Sequence, residues 1–186
     1  AQLTFIITSI DNLKYGFPDM KEKLSTKLSS LSTFTSQTIY ELRDTIWAMN
    51  KNDISFEDLN ARISNFITSA KEASEQIDFS FNISPNINPE FTFTSVQGMN
   101  IYRIIQEAVN NSLKYADASK VSVDISEKDN EFHIKVSDDG KGFDIDNVAL
   151  GNGQNKMKKR AMEINAKLKL QSEIAKGTQL HLIIQK

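Results

Sequence analysis

The 186-residue chain contains no cysteine. That excludes a disulfide framework, a thiol nucleophile and thiolate-bound zinc, and it suits a reducing compartment. Histidine is scarce as well, with 2 in all, which leaves little room for a histidine-rich metal site. The charge is nearly balanced: 22 basic against 24 acidic residues give a net charge of -2. The sequence therefore lacks the electrostatic footprint of a nucleic-acid binder. No apolar run approaches the roughly 18–20 residues of a membrane span. What is present, 39% hydrophobic and 25% charged residues, is the composition of a folded chain. The length fits one large domain or two small ones. Ala1 stands where Met would begin a complete protein, and it leads straight into Leu3, Phe5, Ile6, Ile7 and Ile10. No basic segment precedes them, so the start reads as a cut inside a longer protein and not as a signal peptide.

Glycine is rare and uneven. Gly16 and Gly98 stand alone, whereas Gly140, Gly142, Gly151, Gly153 and Gly177 crowd the last quarter. The first part is thus free to form long helices, and the last is punctuated by turns or ligand-facing backbone. Apolar residues recur at helical spacing from Leu3 to about Tyr15, and Gly16-Phe17-Pro18-Asp19 breaks the pattern. From Met20 to Met49, Leu24, Leu28, Leu31, Thr35, Thr38, Leu42, Thr45 and Met49 alternate steps of four and three. This heptad seam, widened by Ile39 and Ile46, predicts a helical hairpin that seeks a second copy. An ordinary amphipathic helix packed on its own domain is the plainer alternative.

Asn52, Asp53 and Ser55 form a polar break, and Ser55 with Asp58 marks a helix start. Phe56, Leu59, Ile63, Phe66, Ile67 and Ala70 continue at helical spacing. The period then changes to two, with Ile77, Phe79, Phe81 and Ile83 reading as a strand. Pro85 and Pro89 bracket a loop. A helix is expected from Val96 to Tyr115, strands over 121–125 and 132–136 joined at Asp129-Asn130, and a loop from Gly140 to Gly153. A basic helix over 155–166 and strands over 168–174 and 179–185 complete the pattern. The fold class expected is α+β: a helical hairpin forming a four-helix-bundle dimer (residues 1–52), then an α/β sandwich with a mixed sheet covered by helices (residues 53–186).

Three segments carry chemistry. Glu107, Asn111 and Lys114 stand at i, i+4 and i+7, which places a carboxylate, an amide and an ammonium on one helix face. That suits a Mg²⁺-phosphate site, and equally describes a solvated face. Asp138-Asp139-Gly140-Lys141-Gly142 follows a strand. An aspartate there can accept a hydrogen bond from an exocyclic amine such as adenine N6, or sit in an acidic turn. Gly151-Asn152-Gly153 leads into a helix with Lys156, Lys158, Lys159 and Arg160. Free backbone N–H groups at such a start suit phosphate, although the P-loop pattern is absent. Much of the basic run reads as ordinary solvated surface. Gly177-Thr178 alone is no more than a hairpin turn.

Order and spacing add what the single signals lack. IIQEAVNNSLKYA, then VSDDGKGFD, GNGQNKMKKRA and GTQLHLII, over about residues 78–186, resemble the ATP-binding domain of the gyrase, chaperone, histidine kinase and mismatch-repair superfamily. QLTFIITSIDNL and LRDTIWAMN resemble the dimerisation and phosphotransfer hairpin of nitrate-sensor-like histidine kinases. The resemblance implies ATP and Mg²⁺ as cofactors and the following roles. Glu107 would orient or deprotonate the nucleophile, Asn111 would ligate Mg²⁺ with Asn110 as an alternate, and Lys114 would contact phosphate. Tyr115 stands where many relatives carry histidine. Asp138 would read adenine beside Gly140 and Gly142. Gly151 and Gly153 would frame the ATP lid, with Lys156 where relatives often have glycine. Gly177 and Thr178 would border the adenine pocket.

The resemblance further implies a histidine kinase whose phosphoaccepting histidine lies about four residues ahead of Ala1. His133 and His181, both mid-strand, are expected on the solvent face. The partners implied are a second copy through the hairpin and a response-regulator receiver domain, with no nucleic acid. Any membrane attachment would run through segments outside this chain, leaving it cytoplasmic. The alternatives are an anti-sigma-type serine kinase, which lacks a long helical hairpin, and a dimeric ATP-binding module without turnover.

Overall fold

The computed structural model describes residues 2–16, 22–49, 53–74, 76–145 and 152–186. The chain divides into two units, Ala1–Lys51 and Asn52–Lys186.

The first unit is a pair of helices, α1 (Gln2–Gly16) and α2 (Glu22–Met49), packed on each other. Ile10 is buried, and Lys14 Nζ donates to Ser29 Oγ at 2.8 Å across the pair. The polar members of the seam are satisfied inside their own helix. Thr35 and Thr38 hydroxyls donate to the carbonyls of Leu31 and Phe34 four residues back. Thr35 can therefore be buried without an orphaned hydroxyl. Leu24, Leu31, Leu42 and Ile46 are about half exposed, so one pair of helices leaves much of the apolar stripe uncovered. The side chains of Thr45 and Met49, and residues 17–21, lie outside those described.

The second unit begins with β1 (Asp53–Ser55) and α3 (Phe56–Glu72). Ser55 caps α3 as its sequence requires, its Oγ accepting from Asp58 N at 3.1 Å. Then follow β2 (Asp78–Ile83), β3 (Thr92–Thr94) and α4 (Ser95–Asn111). Thr94 and Gln97 form a reciprocal capping box at the start of α4. A π turn, Ser112–Ala116, closes α4. The chain continues through β4 (Lys120–Lys128), β5 (Glu131–Asp138), α5 (Asn152–Glu163), β6 (Lys167–Glu173) and β7 (Gly177–Gln185). The main sheet has the order β2-β4-β5-β7-β6, with β2 and β4 parallel and the other pairs antiparallel. It is an α+β fold with a mixed sheet. Alternation sends Val121, Val123, Phe132, Ile134, Val136, Leu180, Leu182 and Ile184 into the buried layer, where Ile63, Ile101, Ile104 and Ile105 of the helices also lie.

Several elements differ from the sequence expectation. The polar break at Asp53 and the end of the proline-bracketed loop pair as a second, two-stranded antiparallel sheet, β1 with β3. Each strand has three residues and buries one of them, Ile54 or Phe93, so neither offers an alternation to read. Phe91 and Phe93 then join Phe132 in an aromatic cluster, at ring separations of 4.8 and 5.1 Å. The helix expected to reach Tyr115 stays α-helical only to Asn111. α5 starts at Asn152, so Gly153 lies in its first turn and not in the preceding loop.

His133 and His181 point away from the helical layer, as alternation requires, yet they are not freely solvated. His133 Nδ1 lies 3.0 Å from His181 Nε2. In the register of β5 on β7, His133 sits opposite Ile183 and His181 opposite Lys135, which makes the two imidazoles diagonal neighbours. Burial, and then His133, Lys135 and Lys169, hold the His181 imidazole below its ordinary value.

Candidate functional site

A cavity of about 590 Å³ opens where the end of α4, the π turn, the start of α5 and the ends of β5 and β7 converge. Its apolar walls come from Ala108, Val136, Met157, Leu170 and Leu180. Two of these were implicit in the strand pattern: Val136 precedes Asp138 by two residues, and Leu180 follows Thr178 by two, so each shares a sheet face with its polar neighbour.

Asp138 ends β5 at the polar edge of this cavity. Its Oδ1 accepts from the backbone N–H of Gly140 at 3.1 Å and of Thr178 at 3.2 Å. Its Oδ2 accepts from Ser112 Oγ at 2.7 Å. An ionised carboxylate offers about four accepting positions, so roughly one remains for a ligand. The neighbouring Asp139 has a different task. It accepts from Ser119 N, Ser119 Oγ and Lys120 N, tying the strand end to the start of β4. The Ser119 hydroxyl first, and then the Lys120 N–H, hold its carboxyl below the usual carboxylate range.

The glycines close the walls by having no side chain. A methyl on Gly140 would strike the Ala116 carbonyl, one on Gly142 the Glu173 carbonyl, and one on Gly153 the Glu107 carboxylate. Gly142 (φ 57°) and Gly177 (φ 79°) also hold a left-handed backbone that other residues adopt at a cost. Ser172, unforeseen in the sequence, ties this corner together. Its Oγ lies within hydrogen-bond reach of Phe143 N, the Gly177 carbonyl and Thr178 Oγ1.

Of the residues singled out by sequence, Glu107, Asn111, Asp138, Gly142, Gly153 and Thr178 line the cavity. Gly140 and Gly177 pack immediately behind it, against Ala116 and the Asp138 backbone. Asn110, Lys114 and Lys156 do not line it; Lys114 and Lys156 are exposed. The reason for Lys114 is local. Regular helical spacing would set it on the face of Glu107 and Asn111, but the π turn from Ser112 winds more residues into one turn and rotates it off that face. Gly151 lies outside the described residues. Ser112, Tyr115, Phe143 and Met157 were not foreseen as lining residues. Among the described residues no group of three or more His, Asp or Glu side chains could hold a metal unaided.

A family profile described as "Histidine kinase-, DNA gyrase B-, and HSP90-like ATPase" matches residues 97–186, the segment that supplies every wall of this cavity. Over residues 97–186 the chain is similar to that ATPase family. The sensor histidine kinase LiaS of Bacillus subtilis is 42% identical over 83 residues, and the sensor protein VraS of Staphylococcus aureus strain COL is 34% identical over 83. Each match takes in 44% of this chain and 23% or 24% of the relative, so the chain spans about a quarter of their length. Over those 83 residues the chain is similar to sensor histidine kinases. The fold extends the likeness. A histidine kinase domain from Erythrobacter litoralis EL346 superposes with a TM-score of 0.64 at 15% identity, over 98% of this chain and 93% of that one. The Acinetobacter baumannii histidine kinase AdeS gives 0.63 at 13% identity, over 99% and 96%.

Proposed function

We propose that the chain is the catalytic core of a two-component sensor histidine kinase of the nitrate-sensor-like type, which binds Mg·ATP and transfers its γ-phosphoryl to a histidine. The observation that carries this reading is the Asp138 carboxylate. It is fixed by three donors at the polar edge of an apolar cavity and left with about one open accepting position. That arrangement fits an adenine ring whose exocyclic amine donates to Asp138. Bound ATP supplies the phosphoryl group.

The rest of the chemistry is positioning and charge balance. Asn111 offers a hard amide oxygen to Mg²⁺. With no all-protein cage among the described residues, phosphate oxygens and water would complete the shell, as Mg²⁺ prefers. Glu107, beside Gly153 at the cavity wall, is placed to orient the incoming imidazole or take its proton. The first turn of α5, which includes Gly153, offers backbone N–H groups for phosphate. Asn110, Lys114 and Lys156 lie at the periphery, so any phosphate contact from them requires an approach from outside the cavity.

Residues 53–186 would thus serve as the ATP-binding domain and residues 1–52 as the dimerisation and phosphotransfer hairpin. The half-exposed Leu24, Leu31, Leu42 and Ile46 fit a second copy completing a four-helix bundle. A response-regulator receiver domain would take the phosphoryl group onto aspartate. No described helix is long and apolar enough to cross a membrane, which fits a cytoplasmic portion of a sensor.

The test is the metal dependence of binding. ATP is expected to bind at least about 10-fold more tightly with Mg²⁺ than with EDTA. Asn111→Ala should erase that difference while metal-free ATP binding persists. Equal affinities with and without Mg²⁺ in the unaltered chain would remove Asn111 from the metal site.

A further inference from the structure

We propose that Ser112 is a positioning residue that makes the site selective for a base bearing an exocyclic amine; this rests on the adenine reading of the cavity. The hydroxyl sits on a helix residue whose side chain could have been any small group. Ser112 is buried, and it opens the π turn that replaces the last regular turn of α4. One end of that turn is fastened to the last residue of β5 and the other to the loop that follows it. Ser112 Oγ donates to Asp138 Oδ2 at 2.7 Å, and the Ala116 carbonyl accepts from Lys141 N at 2.7 Å. The hydroxyl also lies 3.3 Å from the Ala108 carbonyl, but its single proton belongs on the shorter bond to a charged acceptor.

The distribution of donors on Asp138 gives Ser112 its importance. Oδ1 already takes two backbone N–H groups, from Gly140 and Thr178, while Oδ2 takes only Ser112. The open accepting position therefore belongs to Oδ2, the oxygen that Ser112 holds. Without that hydroxyl, Oδ1 stays pinned by backbone and the carboxylate is free to pivot about it. The oxygen that meets the amine loses its fixed direction. The π turn then has a chemical purpose: it carries the hydroxyl to the strand end, and π turns recur where function demands such a departure from regular helix.

The test compares ATP with purine riboside triphosphate, which carries hydrogen in place of the 6-amino group. The unaltered chain should prefer ATP. Ser112→Ala should bind ATP about 10-fold more weakly while holding purine riboside triphosphate within about two-fold, which also reports that the site is folded. In an Asp138→Asn background, Ser112→Ala should change neither affinity, since the carboxylate it positions is gone. An equal loss for both nucleotides, or an undiminished preference for ATP, would overturn the positioning role. Failure of the unaltered chain to bind either nucleotide would instead remove the adenine reading on which it rests.

Discussion

Asp138→Asn is expected to weaken ATP binding by more than about 100-fold, close to 3 kcal/mol. The carboxylate is surrounded by donors: Ser112 Oγ, Gly140 N and Thr178 N. An asparagine oxygen can replace one carboxylate oxygen, but its amide nitrogen must then stand where the other was. If the oxygen keeps the two backbone N–H groups, an NH₂ faces the exocyclic amine, donor against donor. If it turns to the base, the NH₂ faces two backbone donors in a buried corner, which costs about as much. Asp139→Asn is the matched control. It changes the adjacent carboxylate, which fastens Ser119 and Lys120 and does not line the cavity, so calorimetry should find ATP affinity within a few-fold of the unaltered chain.

Gly177→Ala is expected to cost roughly 2–4 kcal/mol of folding stability, measured by urea unfolding. The backbone φ of 79° is itself strained for alanine, and the new methyl would fall on the Asp138 carbonyl. Neither partner can step aside cheaply. Gly177 starts β7, where the next residue, Thr178, is in register with Asp138 of β5. A shift of β7 would also pull the Thr178 N–H from Asp138 Oδ1, so ATP affinity should fall together with stability. Gly16→Ala is the neutral comparison, since no neighbouring atom lies within 4 Å of the added carbon.

These two positions also illustrate what can be read from residues alone. Asp138 follows an alternating strand and precedes two spaced glycines, and that local pattern already places an acceptor at a strand end. The hairpin at Asp129-Asn130 was equally legible, for both residues take the left-handed backbone that a tight two-residue turn needs. The Ser55–Asp58 cap was legible because capping is a local hydrogen bond. What escaped depends on contacts distant in sequence. β1 and β3 exist only because Ile54 and Phe93 find the core. The π turn exists through bonds from Ser112 to Asp138 and from Lys141 to Ala116, about 26 residues apart in sequence. Helical periodicity runs straight through that turn and sets Lys114 in line with Glu107 and Asn111, whereas in the structure it is exposed and does not line the cavity. Ser112 lies inside IIQEAVNNSLKYA and at helical spacing from buried Ala108, but nothing local to it announces the carboxylate it meets 26 residues on.

The central claim is that the cavity between α4, α5 and the strand ends is the ATP site. It is tested most directly by following backbone amide resonances of the ¹⁵N-labelled chain during titration with Mg·ATP. Saturable shifts at one nucleotide per chain are expected, largest at Gly140, Gly142, Gly153 and Thr178, with His133 and His181 on the opposite sheet face little changed. Shifts confined to other surfaces, or none that saturate at millimolar ATP, would contradict it.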